Sequence, residues 1–216
     1  MKNILGVILL LGILMVSCDD NGGYLDDGGV SSPELGVKTM DFLRSHSQLD
    51  TLAMLIDKAE MAEVVNGDVT LFAPNNLAIN KYVDRLLSDL RQEDSEAEFT
   101  VNDIPKDTLT KYLGGYIFEG KLTRANIPIE QGEIYTSING ETRRISLEPS
   151  NDYSDQLGYL PDFVYFTYKN EEEWDVWDDI EDDDKIIVKT SDLQSTNGII
   201  HVLQGTHVLF NYKSND

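Results

Sequence analysis

Hydrophobic positions open the chain as one block. Behind Met1-Lys2-Asn3 an apolar run extends from Ile4 to Val16, interrupted by Gly6 and Gly12. Coiled as a helix it rises about 20 Å, short of the ~30 Å hydrocarbon core that a spanning helix must cross. A short apolar run behind a cation, closed by a small residue, has the build of a secretory signal over 1–17. The pattern then breaks. Asp19 to Ser32 is rich in Gly, Asp and Ser, and residues 18–36 are expected to form an acidic, flexible tether.

From residue 37 the periodicity is that of one folded domain, expected to run to 212. Ser31-Ser32-Pro33-Glu34 reads as a helix start: a capping serine, a proline in the first turn and a glutamate three after Ser31. Val37, Met40, Phe42 and Leu43 would be its apolar stripe. Leu52, Leu55, Ile56 and Ala59 at i, i+3, i+4, i+7 predict a second helix. Val69–Ala73 predicts a strand that Pro74-Asn75-Asn76 stops, with Asn75 or Asn76 capping a third helix that carries Ile79, Val83, Leu86 and Leu90. Residues 91–103 read as a loop and Thr108–Leu113 as a short helix ending at Gly114-Gly115.

Beyond Gly115 the period shortens to two. Strands are predicted at 116–118, in a hairpin over 133–147, and at 162–168, 185–189, 199–203 and 207–210. Asn139-Gly140 would give the hairpin the two positive φ angles of a tight two-residue turn. Helices early and strands late make an α+β fold, with N-terminal helices packed on a sheet built mostly by the C-terminal half.

Two segments carry more than periodicity. Thr70-Leu71-Phe72-Ala73-Pro74-Asn75-Asn76-Leu77-Ala78 resembles the first signature of fasciclin-like domains, usually T-V-F-A-P-T-N-x-A-F. Asn197-Gly198-Ile199-Ile200-His201-Val202-Leu203, followed by Val208-Leu209, resembles the second, N-G-x-I-H-x-I-D-x-V-L. Leu113 and Gly120-Lys121-Leu122 match the weaker middle of the pattern. The resemblance implies a fasciclin-like domain in which Thr70, Phe72, Ala73, Pro74, Asn76, Asn197, Gly198 and His201 build structure, His201 as a packed, hydrogen-bonded core residue. It also implies a non-catalytic adhesion module for cells, matrix or glycans. Leu77 and Ile79 stand where the first signature often has other residues. Gly115-Tyr116 stands where the family often has a Tyr-His pair, so an adhesion role attributed to that pair does not transfer.

Charge and cysteine usage add an address. The net charge is −22, which repels nucleic-acid phosphates and anionic headgroups and excludes both as partners. Cys18 is the sole cysteine, so no intramolecular disulfide forms. Met15-Val16-Ser17-Cys18 resembles a bacterial lipobox, with Met15 in place of the usual leucine. The resemblance implies cleavage before Cys18 and its lipidation, with the protein held in the outer membrane of the cell envelope, surface-exposed or periplasmic. Asp19-Asp20 and Asp26-Asp27 loosely resemble the acidic export signal of Bacteroidetes surface lipoproteins, and serve equally well as a soluble tether.

The acidity is concentrated in an insertion near 150–184. Ten of the fourteen residues from Glu171 to Asp184 are acidic, and both tryptophans, Trp174 and Trp177, fall among them. The pair either packs on the body or forms a partner surface for a protein or polysaccharide ligand, with aromatic anchors rimmed by charge. Asp178, Asp179 and Asp182–Asp184 lack the spacing of a calcium loop, so no metal is assigned. No cofactor motif occurs. Two alternatives remain: an accessory subunit of an outer-membrane polysaccharide-uptake system, and a glycoside hydrolase using carboxylates of the insertion. The sequence leaves the oligomeric state open.

Overall fold

The computed structural model describes residues 33–150, 160–169, 174 and 183–214. The apolar leader, Cys18, most of the tether, Trp177 and Asp178–Asp182 lie outside these residues. Helices α1 (Thr39–Ser45), α2 (Asp50–Lys58) and α3 (Ala62–Val65) precede strand β1 (Val69–Ala73). Helices α4 (Asn76–Glu93) and α5 (Lys106–Tyr112) lead to β2 (Ile117–Glu119). The remainder is β3 (Glu133–Thr136), β4 (Thr142–Pro149), β5 (Asp162–Tyr168), β6 (Asp184–Gln194) and β7 (Ile199–Leu203). Among the described residues these strands form one sheet in the order β2-β1-β7-β6-β5-β4-β3. This is the α+β arrangement that the change of periodicity predicts.

The sheet joins the two ends of the domain. β1 runs parallel to β7, with Phe72 opposite His201 and Ala73 opposite Val202, and every residue of β1 is buried, as a parallel pair covered on both faces requires. On β4 to β6 one face is core: Ile145, Val164, Phe166, Ile186 and Val188 are buried. Phe163, Ile187 and Lys189 alternate onto the other face. At the centre, Phe72 lies 4.9 Å from Phe166, 5.6 Å edge-on from Phe118 and 4.9 Å stacked on His201. Burying one such aromatic contributes about 1.5–3 kcal/mol.

The structure departs from the pattern reading at α3, which the periodicity does not predict, and at four further places. The first helix starts at Thr39 rather than at Ser31–Glu34. The Leu35 amide donates to the Gln194 carbonyl and the Gln194 amide to the Pro33 carbonyl, which draws this segment onto β6. The turn of the β3–β4 hairpin is longer than two residues. Gly140 alone takes positive φ, and Asn139 Oδ1 closes the turn by accepting from Ser137 Oγ and the Glu141 amide. β6 reaches Gln194 through two register shifts, with Asp192 at φ 61°. Residues 207–210 form no strand: Leu209–Asn211 is a 3₁₀ turn whose Phe210 and Asn211 both have positive φ.

Candidate functional site

The signature residues meet around one loop. Thr70 Oγ1 donates to the Gly120 carbonyl and accepts from the Leu122 amide, each at 2.8 Å. His201 Nε2 donates to the Leu122 carbonyl at 2.8 Å, while its Nδ1 accepts from the Asp192 amide at 3.3 Å. A backbone amide only donates, so the proton sits on Nε2. Burial pushes the His201 pKa below its ordinary value, and both ring nitrogens are engaged. His201 is a fully buried interior strut.

Asn197 ties three segments together. Its Oδ1 accepts from the Thr39 amide at 2.9 Å, and its Nδ2 donates to the Thr39 hydroxyl and the Gly67 carbonyl at 3.1 Å and to the Val65 carbonyl at 3.3 Å. The start of α1 has no cap from its own sequence; Asn197 and Asn66 Oδ1, which accepts from the Met40 amide, satisfy its orphan N–H groups. Gly198 follows at a position where a Cβ would stand 2.3 Å from the Val69 carbonyl oxygen, so only glycine fits. In the first signature, Pro74 is buried after Ala73, the last paired residue of β1. Asn75 caps α4 by accepting from the Ala78 amide at 3.0 Å. Asn76 Nδ2 bonds the Ser47 carbonyl and Asp50, and its Oδ1 accepts from the Thr51 amide.

Of the two tryptophans, Trp174 is half-buried against β4. Its indole N–H donates to Thr142 Oγ1 at 2.9 Å, and the Arg144 guanidinium lies 4.9 Å from the ring centroid. The N–H and one face are therefore already engaged by the body.

The open concavity lies elsewhere, on the sheet face opposite the core. A cleft of about 850 Å³ runs between the start of α4 and the turn before α2 on one side, and β5, β6 and the turn after β7 on the other. Lys81 Nζ donates to the Gly205 carbonyl at 2.8 Å and pins that turn to α4. A Cβ on Gly205 would come within 2.9 Å of Leu77 Cδ2. Leu77, 54% exposed, and Phe163 form apolar wall, while Gln48, Asn80 and Lys189 supply polar groups.

Residues 47–206 match the family model of the fasciclin domain. The chain belongs to the fasciclin family. It is similar to a fasciclin domain pair from the insect cell adhesion molecule fasciclin I, at 14% identity and a TM-score of 0.46 over 77% of this chain. It covers 49% of that protein, about half its length. No curated protein matches the chain.

Within this fasciclin domain, Tyr116 of Gly115-Tyr116 has a histidine partner from elsewhere in the chain. Tyr116 Oη lies 2.7 Å from His207 Nε2 and accepts from the Phe210 amide at 2.7 Å. Burial lowers the His207 pKa to about 3 and raises that of Tyr116 well above 10. The Arg143 guanidinium lies 3.9 Å from the centre of the neighbouring Tyr168 ring and pairs with Glu141. Sequence reasoning missed both this cluster and the cleft. His207 sits outside any signature position, and the cleft is assembled from five segments that share no local pattern. The candidate anchor Trp177 and the candidate lipid site Cys18 lie outside the described residues.

Proposed function

We propose that this chain is a non-catalytic binding module of a bacterial cell envelope, held by lipid on Cys18 in the outer membrane, which attaches cells to extracellular polymer or matrix. The observation that carries the reading is a division of labour among the described residues. Thr70, Phe72, His201 and His207 are buried and engaged inside the domain, while a solvent-open cleft presents Gln48, Asn80 and Lys189, whose side chains make no hydrogen bond among the described residues. Membership of the fasciclin family supports adhesion as the activity. The lipobox resemblance supports the anchor, and lipidation with two or more acyl chains holds a domain stably where one chain does not.

Anchored copies are confined to two dimensions, so weak single contacts add by multivalency. The test compares cells that carry the wild-type chain with cells that carry Cys18→Ala. The reading expects acyl-chain labelling and a membrane-bound product for wild type alone, and adhesion to a polymer-coated surface that falls when the anchor is lost. Equal membrane retention of both forms, or equal adhesion, would refute it.

A further inference from the structure

The cleft stands out electrostatically. The chain has 39 acidic residues among 216, yet no described residue lining the cleft is a carboxylate and one, Lys189, is a cation. Asp50, beside the wall, is turned to Asn76 Nδ2 at 2.7 Å. A ligand seated in the cleft contacts a described lining that is neutral apart from Lys189.

The lining is also rich in primary amides with unspent capacity. The Gln48 and Asn80 side chains make no hydrogen bond among the described residues. Asn75 spends Oδ1 on the Ala78 amide and keeps Nδ2. Gln204 Oε1 takes one long contact, 3.5 Å, from Thr206 and keeps Nε2. An amide offers two donors and a two-lone-pair acceptor on one plane, which matches adjacent hydroxyls that each donate and accept. A peptide strand would call instead for an exposed sheet edge to pair with, and the strands that floor this cleft, β5 and β6, are paired on both sides. Phe163 and Leu77 add apolar wall against which the C–H face of a sugar ring can pack. A volume of about 850 Å³ lies within the range of ordinary small-ligand sites.

Resting on the binding-module reading, we infer that this cleft is a saccharide site, and that Lys189 selects an oligosaccharide bearing a carboxylate, a uronic acid unit. Gln48, Asn75, Asn80 and Gln204 bind ring hydroxyls, Phe163 and Leu77 support the ring face, and Lys189 pairs with the sugar carboxylate.

The test titrates the full chain at about 0.15 M salt by calorimetry with three probes: an oligogalacturonate, a neutral cello-oligosaccharide and a poly-glutamate peptide of matched length. The inference expects the uronate oligomer to bind most tightly and the peptide not to bind. Gln48→Ala and Asn80→Ala should weaken both saccharides about tenfold each, the effect of losing ~1.4 kcal/mol. Lys189→Gln should weaken the uronate oligomer about tenfold and leave the neutral one unchanged. All three variants should melt with wild type, because these side chains support nothing else among the described residues. Tighter peptide binding, no saccharide binding, or affinities unmoved by the variants would each overturn it. If cells still adhere through the anchored domain while the variants change nothing, the saccharide site is wrong and the module reading stands; if anchored cells do not adhere, the module reading itself falls.

Discussion

Thr70 and His201, on neighbouring parallel strands, hold opposite backbone groups of the same residue. Thr70 Oγ1 accepts from the Leu122 amide and His201 Nε2 donates to the Leu122 carbonyl, both at 2.8 Å. The loop after β2 is thereby fixed across β1 and β7 by the two fasciclin signatures together, and the stability of the loop depends on both.

A double-mutant cycle measures this dependence. Thr70→Val and His201→Leu each leave a buried backbone group short of its partner, at a cost of about 1–3 kcal/mol. Because both act through Leu122, the pair should lose less than the sum of the singles, with a coupling of at least ~0.5 kcal/mol in urea unfolding. Strict additivity would mean that the two bonds do not share the loop.

Asn197→Ala should be the costlier change at the second signature. It strips acceptor or donor from the Thr39 amide, the Gly67 carbonyl and the Val65 carbonyl at once, and a loss of about 3 kcal/mol is expected. Asn197→Asp keeps the acceptor to Thr39 and loses the donors, so its unfolding midpoint should fall between alanine and wild type. An aspartate variant no more stable than alanine would show that the capping bond contributes little.

Acid should weaken the domain through its buried imidazoles. His207 has a pKa of about 3 in the fold, against about 6.5 in an unfolded chain. The unfolded state therefore binds the additional proton between these values. Stability from this group is fully present above about pH 6.5 and declines as pH falls towards 3, by up to about 2 kcal/mol between pH 7 and pH 5. His201, also lowered by burial, acts in the same direction. His207→Asn should be less stable than wild type at pH 7 and lose less on going to pH 5, by urea midpoints. Parallel losses in the two proteins would rule out His207 as the titrating group.

Trp174→Phe removes the bond to Thr142 and keeps an aromatic ring near Arg144. A stability loss of about 1 kcal/mol is expected, with ligand affinity unchanged. A loss of affinity at constant melting temperature would return the binding surface to the acidic connection between β5 and β6.

Local chemistry decided how much of this was legible in the chain. The capping of α4 by Asn75 and the end of β1 at Pro74 follow from residues adjacent in sequence, and both are found as the motif predicts. The interior place of His201 follows from the apolar residues around it and from the family resemblance. The start of α1 was not legible, because the group that caps it is Asn197, 158 residues away. Asn139-Gly140 suggested a minimal turn, whereas the Asn139 side chain bridges a longer one and also donates to the Lys111 carbonyl. The tryptophans drew attention to the acidic insertion because composition is visible along the sequence. The cleft depends on Gln48, Asn80, Lys189 and Gln204 converging from separate elements, and no periodicity brings them together.

On the proposed reading the buried signature residues hold the fold, and the cleft, walled in part by Asn75 and Leu77 of the first signature, does the binding. The measurement that separates the two roles pairs melting temperature with adhesion to a uronate-polymer surface, on anchored Asn197→Ala and anchored Gln48→Ala/Asn80→Ala. The account predicts that Asn197→Ala lowers the melting temperature while its folded fraction adheres as wild type does, and that the cleft variant melts as wild type and loses adhesion. Adhesion lost with Asn197→Ala at an unchanged melting temperature, or kept in full by the cleft variant, would contradict it.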